Sequence, residues 1–144
     1  MRLVRIAAIL FVVYVALGFT LDAAIGYFQP RQGNTVVLRS FDPDGTPQER
    51  VLTLLEDGDQ LWVESGHWFR GWYHRVRANP DVELVRDGET KPYRAVPLDT
   101  PEALARVEQL MGRGQGAGYW AARAMLLFAP IKPVRLDPRA PAGP

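Results

Sequence analysis

The 144-residue chain has no cysteine and only two histidines, His67 and His74. Disulfides, thiolate metal sites and cysteine nucleophiles are therefore excluded, and so is a metal centre built from several histidines. No metal site is expected, and the lack of cysteine leaves the redox compartment open. A surplus of charge of one sign is also missing. The formal net charge is +1, and from residue 29 onward acids and bases balance at 15 each once Arg2, Arg5 and Asp22 are set aside. A nucleic-acid binder needs a basic face that releases counterions, so no nucleic-acid partner is expected. No internal repeat is present. The only biased tract is the proline-rich end, Pro138 to Pro144, which is expected to fray as a disordered tail over 138–144.

What the chain does have is one long apolar run, Val4 to Phe28, interrupted by Arg5, Thr20, Asp22 and a few small residues. About 20 apolar residues carry a helix across the hydrocarbon layer. Arg2 and Arg5 before the run and Tyr27 at its end suit headgroup anchors. Residues 1–28 therefore read as a membrane-anchor helix, with lipid as partner and the membrane as location. Two other readings stand beside it. A cleaved signal peptide shares the basic start and apolar core, although Leu21 to Gly26 offers no clean small-x-small site. A helix packed on the following domain would also be apolar, and Asp22 suits an interface better than mid-bilayer.

The remainder, residues 29–137, is long enough for one small domain with a modest core. Gln29 to Asn34 reads as a polar linker. Thr35 to Phe41, Glu49 to Leu55, Gln60 to Ser65, Val82 to Val85 and Lys91 to Leu98 read as strands. Asp42-Pro43-Asp44-Gly45, Asp57-Gly58 and Asp87-Gly88 supply the turns. Ile131 to Leu136, interrupted by proline, reads as a last, edge strand. Arg70 to Ala78 is a short helix that stops before Asn79-Pro80. Thr100-Pro101-Glu102 is an N-cap, a proline at N1 and an acid on the dipole, opening a second helix with Ala103, Val107 and Leu110 on one face. Tyr119 to Leu127 is a further helical stretch. The pattern predicts a mainly β (α+β) fold: a small antiparallel β-barrel, closed or split, whose ends the helices cover.

The most specific segment is Ser65 to Val82. Trp72-Tyr73-His74, followed by Arg77-Ala78-Asn79-Pro80-Asp81-Val82, resembles the deazaflavin-dependent nitroreductase and quinone reductase family, which reads roughly W-Y-H-N-L-x-A-N-P-x-V there. Glu56-Asp57-Gly58-Asp59 keeps the family's hairpin spacing, and Pro133-Val134-Arg135-Leu136 resembles its closing strand. The similarity spans about residues 35–137. It implies a split β-barrel related to flavin-mononucleotide-binding barrels. It also implies coenzyme F-420 as cofactor, and a hydride moved to a quinone or nitro-type acceptor, in some members at the membrane. The coenzyme carries such chemistry and the protein supplies position and electrostatics.

The similarity implies a set of site residues. Tyr73 or Tyr119 orients the acceptor or stabilises charge on its oxygen. Val51 and Leu52 match the family's coenzyme-contacting strand, and Ser65, Trp72 and Arg75 fall in or beside its motifs. One departure stands out. Family members carry G-R-K-S-G before the second strand, to hold the coenzyme phosphate. Here Phe41-Asp42-Pro43-Asp44-Gly45 occupies that place, with two carboxylates for a cation and a hydroxyl, and Gln48 matches the next arginine. Arg39 and Arg50 are the candidates to restore the lost charge.

Plainer readings accompany these. Trp72 and Tyr73 suit packing of helix on barrel. Arg70, Arg75 and Arg77 suit a solvated face or anionic lipid as well as a coenzyme rim. His67, Trp68 and Phe69 form either a substrate lip or a membrane-facing cluster. Tyr119 and Trp120 are a lid or a hinge. The functional alternatives are a tethered barrel that has lost coenzyme binding and serves as a binding or scaffold module, or one that uses FMN or haem. Pairing as a homodimer is expected from the family. Orientation is contested: Arg2 and Arg5 favour an inside N-terminus, which puts a singly spanning chain's domain outside, whereas an in-plane helix removes the conflict.

Overall fold

A computed structural model of the protein describes residues 1–29, 33–112 and 117–140. The elements follow in the order α1 (Arg2–Phe28), β1 (Thr35–Phe41), β2 (Pro47–Thr53), β3 (Leu55–Asp57), β4 (Gln60–Ser65), α2 (Gly71–Ala78), β5 (Asp81–Arg86), β6 (Glu89–Pro97), α3 (Pro101–Met111), α4 (Ala117–Met125) and β7 (Lys132–Pro138).

The seven strands form one antiparallel sheet in the order β2-β1-β5-β6-β7-β4-β3. Its two outermost strands, β2 and β3, are consecutive in sequence and separated only by Leu54. The chain thus leaves one edge of the sheet and enters the other through a single residue, which forces the sheet to curl into a half-barrel. Leu54 is buried at that corner. Its N–H donates to Asn34 O (2.8 Å), and its carbonyl accepts from Asn34 Nδ2 (2.9 Å), so the bend leaves no backbone group unpaired.

Alternation decides what fills the interior. In β1, Val36, Leu38 and Ser40 point inward, while Val37 and Arg39 point out. Inward residues of β1, β2, β4, β5, β6 and β7 form one cluster, and Trp72, Tyr73 and Val76 of α2 close it at one end. A second cluster lies outside the sheet, where Ala103, Val107 and Leu110 of α3 pack on Leu55, Trp62 and Ile131. Each fully buried aliphatic side chain there contributes about 1.5–3 kcal/mol. The α3 start is built as its sequence predicts: Thr100 Oγ1 accepts the Ala103 N–H at 3.2 Å, with Pro101 in the first turn. In the β5–β6 hairpin both Asp87 (φ 52) and Gly88 (φ 82) take the left-handed conformation, the pair of positive φ values a tight hairpin requires.

Two expectations are corrected. β7 is not an edge strand: it lies between β6 and β4, pairing with both. The Pro133 carbonyl accepts the Leu98 N–H just beyond the end of β6 (3.1 Å), so the missing proline N–H falls where the partner strand has ended. The stretch from residue 49 to 55 is two strands, β2 beginning at Pro47 and β3 at Leu55. At the C-terminus Arg139 is tied down, its N–H bonded to Pro92 O and its side chain paired with Asp81. The rest of the predicted tail, 141–144, and residues 30–32 of the predicted linker lie outside the described residues.

Candidate active site where the N-terminal helix meets the barrel

The second half of α1 lies along the mouth of the barrel. Tyr14, Gly18, Asp22 and Gly26 recur every four residues, which aligns them on one helix face, and each meets the domain. The Tyr14 hydroxyl donates to Ala124 O (2.5 Å). Gly18 faces Leu127 so closely that a Cβ would lie 2.6 Å from its Cγ. The Gly26 carbonyl accepts from Arg50 Nη1 (2.5 Å), and one turn on, Gln29 Oε1 accepts the Val51 N–H (2.9 Å).

Asp22 is the centre of this contact. It is 1% exposed, and both carboxylate oxygens are engaged. Oδ1 is 2.5 Å from His67 Nδ1, and Oδ2 accepts the Trp68 N–H at 3.2 Å. The contact to Asp22 engages Nδ1 and leaves Nε2 as the ring nitrogen open to other chemistry. His67 lines a cavity of about 150 Å³ together with Ile25, Gln29, Thr35, Arg50, Val51, Leu52, Thr53 and Glu64.

Three charged groups set the electrostatics of that cavity. Burial pushes the Glu64 carboxyl above its ordinary range, against the pull of His67, Arg123 and Arg70. Its Oε2 has no partner among the described residues. Gly66 permits this arrangement, since a Cβ there would fall 2.8 Å from Glu64 Oε2. Burial, and then repulsion by Arg75, lowers the Arg50 guanidinium, and Asp22 acts the other way. Arg50 stays charged all the same. Arg75 donates to Ser40 Oγ (3.0 Å) and stands 3.9 Å from Asp42. Two guanidiniums thus converge on the barrel mouth, and among the described residues neither has a carboxylate within hydrogen-bond distance.

The predicted site residues divide. Arg50, Val51 and Leu52 share the cavity, with Arg75 beside it. Arg39 does not join them: it points to the opposite face of the sheet and is bound by Glu49 and Glu83, so it and Arg50 cannot converge on one anion. Asp42 accepts from Gln48 Nε2 and Asp44 from the Thr46 N–H, both at 2.9 Å, which makes them turn-formers. Trp72 and Tyr73 are core residues. The Tyr73 hydroxyl donates to Asp99 (3.2 Å), which also receives Lys132 Nζ (3.0 Å). Burial, then Asp99, raises the Tyr73 phenol, and Lys132 foremost holds Asp99 low. Ser65 is buried, with its Oγ unpartnered among the described residues. Tyr119 lies on α4 against the edge of Trp120 (ring centroids 5.2 Å). Sequence reasoning missed Asp22, Gln29 and Glu64 as site residues. The available signal was Asp22 itself, the one acid in the apolar run.

Residues 29–126 match the family described as F420H(2)-dependent quinone reductase. Among solved structures, the chain is similar to an F420-H2 dependent reductase, FDR-A, at 17% identity over 72% of this chain and 94% of that one (TM-score 0.56). It is similar to a domain-swapped dimer at 17% identity over 74% and 82% (0.58). It is also similar to HutZ, the haem-storage protein of Vibrio cholerae, at 15% over 75% and 83% (0.52). These likenesses show the split-barrel fold. A search among curated proteins finds no match.

Proposed function

Because the chain belongs to the F420H(2)-dependent quinone reductase family, we propose that it is a membrane-held reductase that uses coenzyme F-420 and reduces a quinone-type acceptor in the cleft between α1 and the barrel. The observation that carries the reading is the donor set at the barrel mouth. Arg50, Arg75 and the Val51 N–H offer two guanidiniums and a backbone amide on one side of the cleft, the chemistry that holds a phosphate. At present the end of α1 satisfies two of these donors, through the Gly26 carbonyl and Gln29 Oε1. A cavity of about 150 Å³ is smaller than the ~300–1,000 Å³ of ordinary ligand sites. A coenzyme of nucleotide size therefore binds by displacing that helix end or by lying along the open rim.

When bound, the reduced coenzyme supplies a hydride, and the acceptor takes that hydride and one proton to become the hydroquinone. The chain's own contribution is to position the reactants and move the proton. His67, which lines the cavity, hands a proton from its ring to the acceptor oxygen. Asp22, bonded to His67 Nδ1, orients the ring for that transfer. Glu64, which burial holds toward its protonated form, stands next to His67 to return a proton.

The membrane half of the reading rests on α1, whose 27 residues have the length and hydropathy of a crossing helix and whose residues 2–14 are all exposed. Titrating the purified protein with F-420 and following coenzyme fluorescence tests the redox half. No binding at micromolar coenzyme refutes it. A reporter fused at the C-terminus tests whether the cleft faces the cytosol.

One observation favours a second reading, a tethered binding module. The donors at the barrel mouth are already met by the chain itself, and Asp42 and Asp44 replace the basic loop. Failure of F-420, FMN and haem to bind, the last two visible as colour, would select it.

A further inference from the structure

Among the described residues that follow α1, five large apolar side chains are exposed: Trp68, Phe69, Trp120, Met125 and Phe128. All five lie in two segments that touch α1. In the loop 67–69, the Trp68 N–H is held by Asp22, and Phe19 packs against Trp68 and Phe69 with ring centroids at 6.2 and 6.1 Å. In the other segment, Tyr14 is bonded to Ala124, and Leu127 faces Gly18.

The α4 helix itself is anomalous for a helix in water. It reads Ala-Gly-Tyr-Trp-Ala-Ala-Arg-Ala-Met, and none of its residues is buried. Trp120 is 63% exposed. Its one charge is turned away from solvent: Arg123 donates Nη1 to Ala129 O (2.9 Å), and its Nε is shielded. Single exposed apolar residues need no explanation, but a contiguous apolar surface does.

Length adds an independent argument. Among the described residues the first hydrogen bond from α1 to the domain is at Tyr14, and residues 2–13 before it are exposed, a length of about 18 Å at 1.5 Å per residue. The hydrocarbon layer is about 30 Å thick. If the domain stayed wholly in water, Arg2 and Arg5 would stop inside that layer, where charge is costly. Immersing the domain to the level of Phe19 puts about 27 Å of helix, residues 2–19, within the layer and leaves Arg2 and Arg5 near its far side, where long side chains snorkel to the headgroups.

We propose that α4, the turn at 126–128 and the loop 67–69 form, together with α1, one wedge embedded in the bilayer interior, with lipid acyl chains as the occupant of this surface. The inference rests on the membrane half of the proposed function and adds a route. His67 directly precedes Trp68, so an acceptor dissolved in the bilayer reaches the cleft past Phe19, Trp68 and Phe69 without crossing water.

The absence of cysteine makes the test clean. The full-length protein is placed in phosphatidylcholine–phosphatidylglycerol vesicles carrying, one at a time, Phe11→Cys, Phe69→Cys, Trp120→Cys or Asp59→Cys. Each variant is labelled with an environment-sensitive fluorophore and quenched by brominated acyl chains. A membrane-impermeant maleimide is used in parallel. The expected result is quenching at 11, 69 and 120 but not at 59, and maleimide labelling at 59 alone. Quenching at 11, with 69 and 120 labelled from water like 59, overturns the wedge and leaves the anchor standing. No quenching at 11 removes the anchor as well. Protection of 69 and 120 without quenching shows that protein covers them, and also overturns the proposal.

Discussion

The Asp22–His67 contact joins the apolar helix to the barrel across 45 residues of sequence, and the magnitude of its loss can be worked out. Asp22 is fully buried, and its two oxygens serve two donors. Asp22→Asn preserves volume and an acceptor for the Trp68 N–H but removes the charge that His67 meets. Hydrogen bonds to a charged group contribute about 1.5–3 kcal/mol, and that is the expected loss. For a chain of this length it lowers Tm by about 5–10 °C. Asp22→Ala leaves both donors unpaired in a buried site and costs about 3–5 kcal/mol. The assay is tryptophan fluorescence during unfolding in mild detergent, run as a double-mutant cycle with His67→Gln. If the two side chains interact as drawn, the double variant loses little more than either single one. Additivity of Asp22→Asn and His67→Gln to within about 0.5 kcal/mol would refute the contact and the docking of α1 that depends on it. The catalytic reading adds a second readout. His67→Gln should lower kcat for quinone reduction while F-420 affinity holds, a split that loss of packing alone would not produce.

Three further outcomes follow from the cleft. Gln29→Ala frees the Val51 N–H, so F-420 should bind tighter by about 2- to 10-fold, the worth of one amide hydrogen bond; weaker binding in a fluorescence titration would argue that Gln29 helps build the site. Arg50→Ala should weaken F-420 binding by about 10- to 100-fold, whereas Arg39→Ala, on the other face of the sheet, should leave it unchanged. Glu64→Gln should alter the pH dependence of stability. Burial raises the folded carboxyl above its ordinary 4.5, so the native state keeps a proton that the unfolded chain has released. Stability is therefore intact below pH 4.5 and falls as pH rises toward the folded value. Glu64→Gln removes that fall, and denaturant midpoints of variant and parent should diverge in the variant's favour as pH rises above 4.5.

Much of the architecture is legible along the chain because it is local. Hairpin turns at Asp57-Gly58 and Asp87-Gly88, the Thr100-Pro101 helix start and the alternation of β1 depend on neighbours a few residues apart, and backbone sterics read those directly. The Trp72–Val82 motif likewise pointed to the family. Legibility ends where register and burial decide. The register that sets Leu38 opposite Arg50 puts Arg50 on the inward face with Leu38, and leaves Arg39 on the other face opposite Glu49 and Glu83. The interior place of β7 follows from its pairing with both β4 and β6, although its prolines suggest an edge. Asp22 meets His67, 45 positions further along the chain, only because the fold brings the two side chains to 2.5 Å. Composition and periodicity can name the elements and the acid in the apolar helix. Which donor that acid meets is settled by long-range packing, because a buried carboxylate must find a partner wherever the closed barrel presents one.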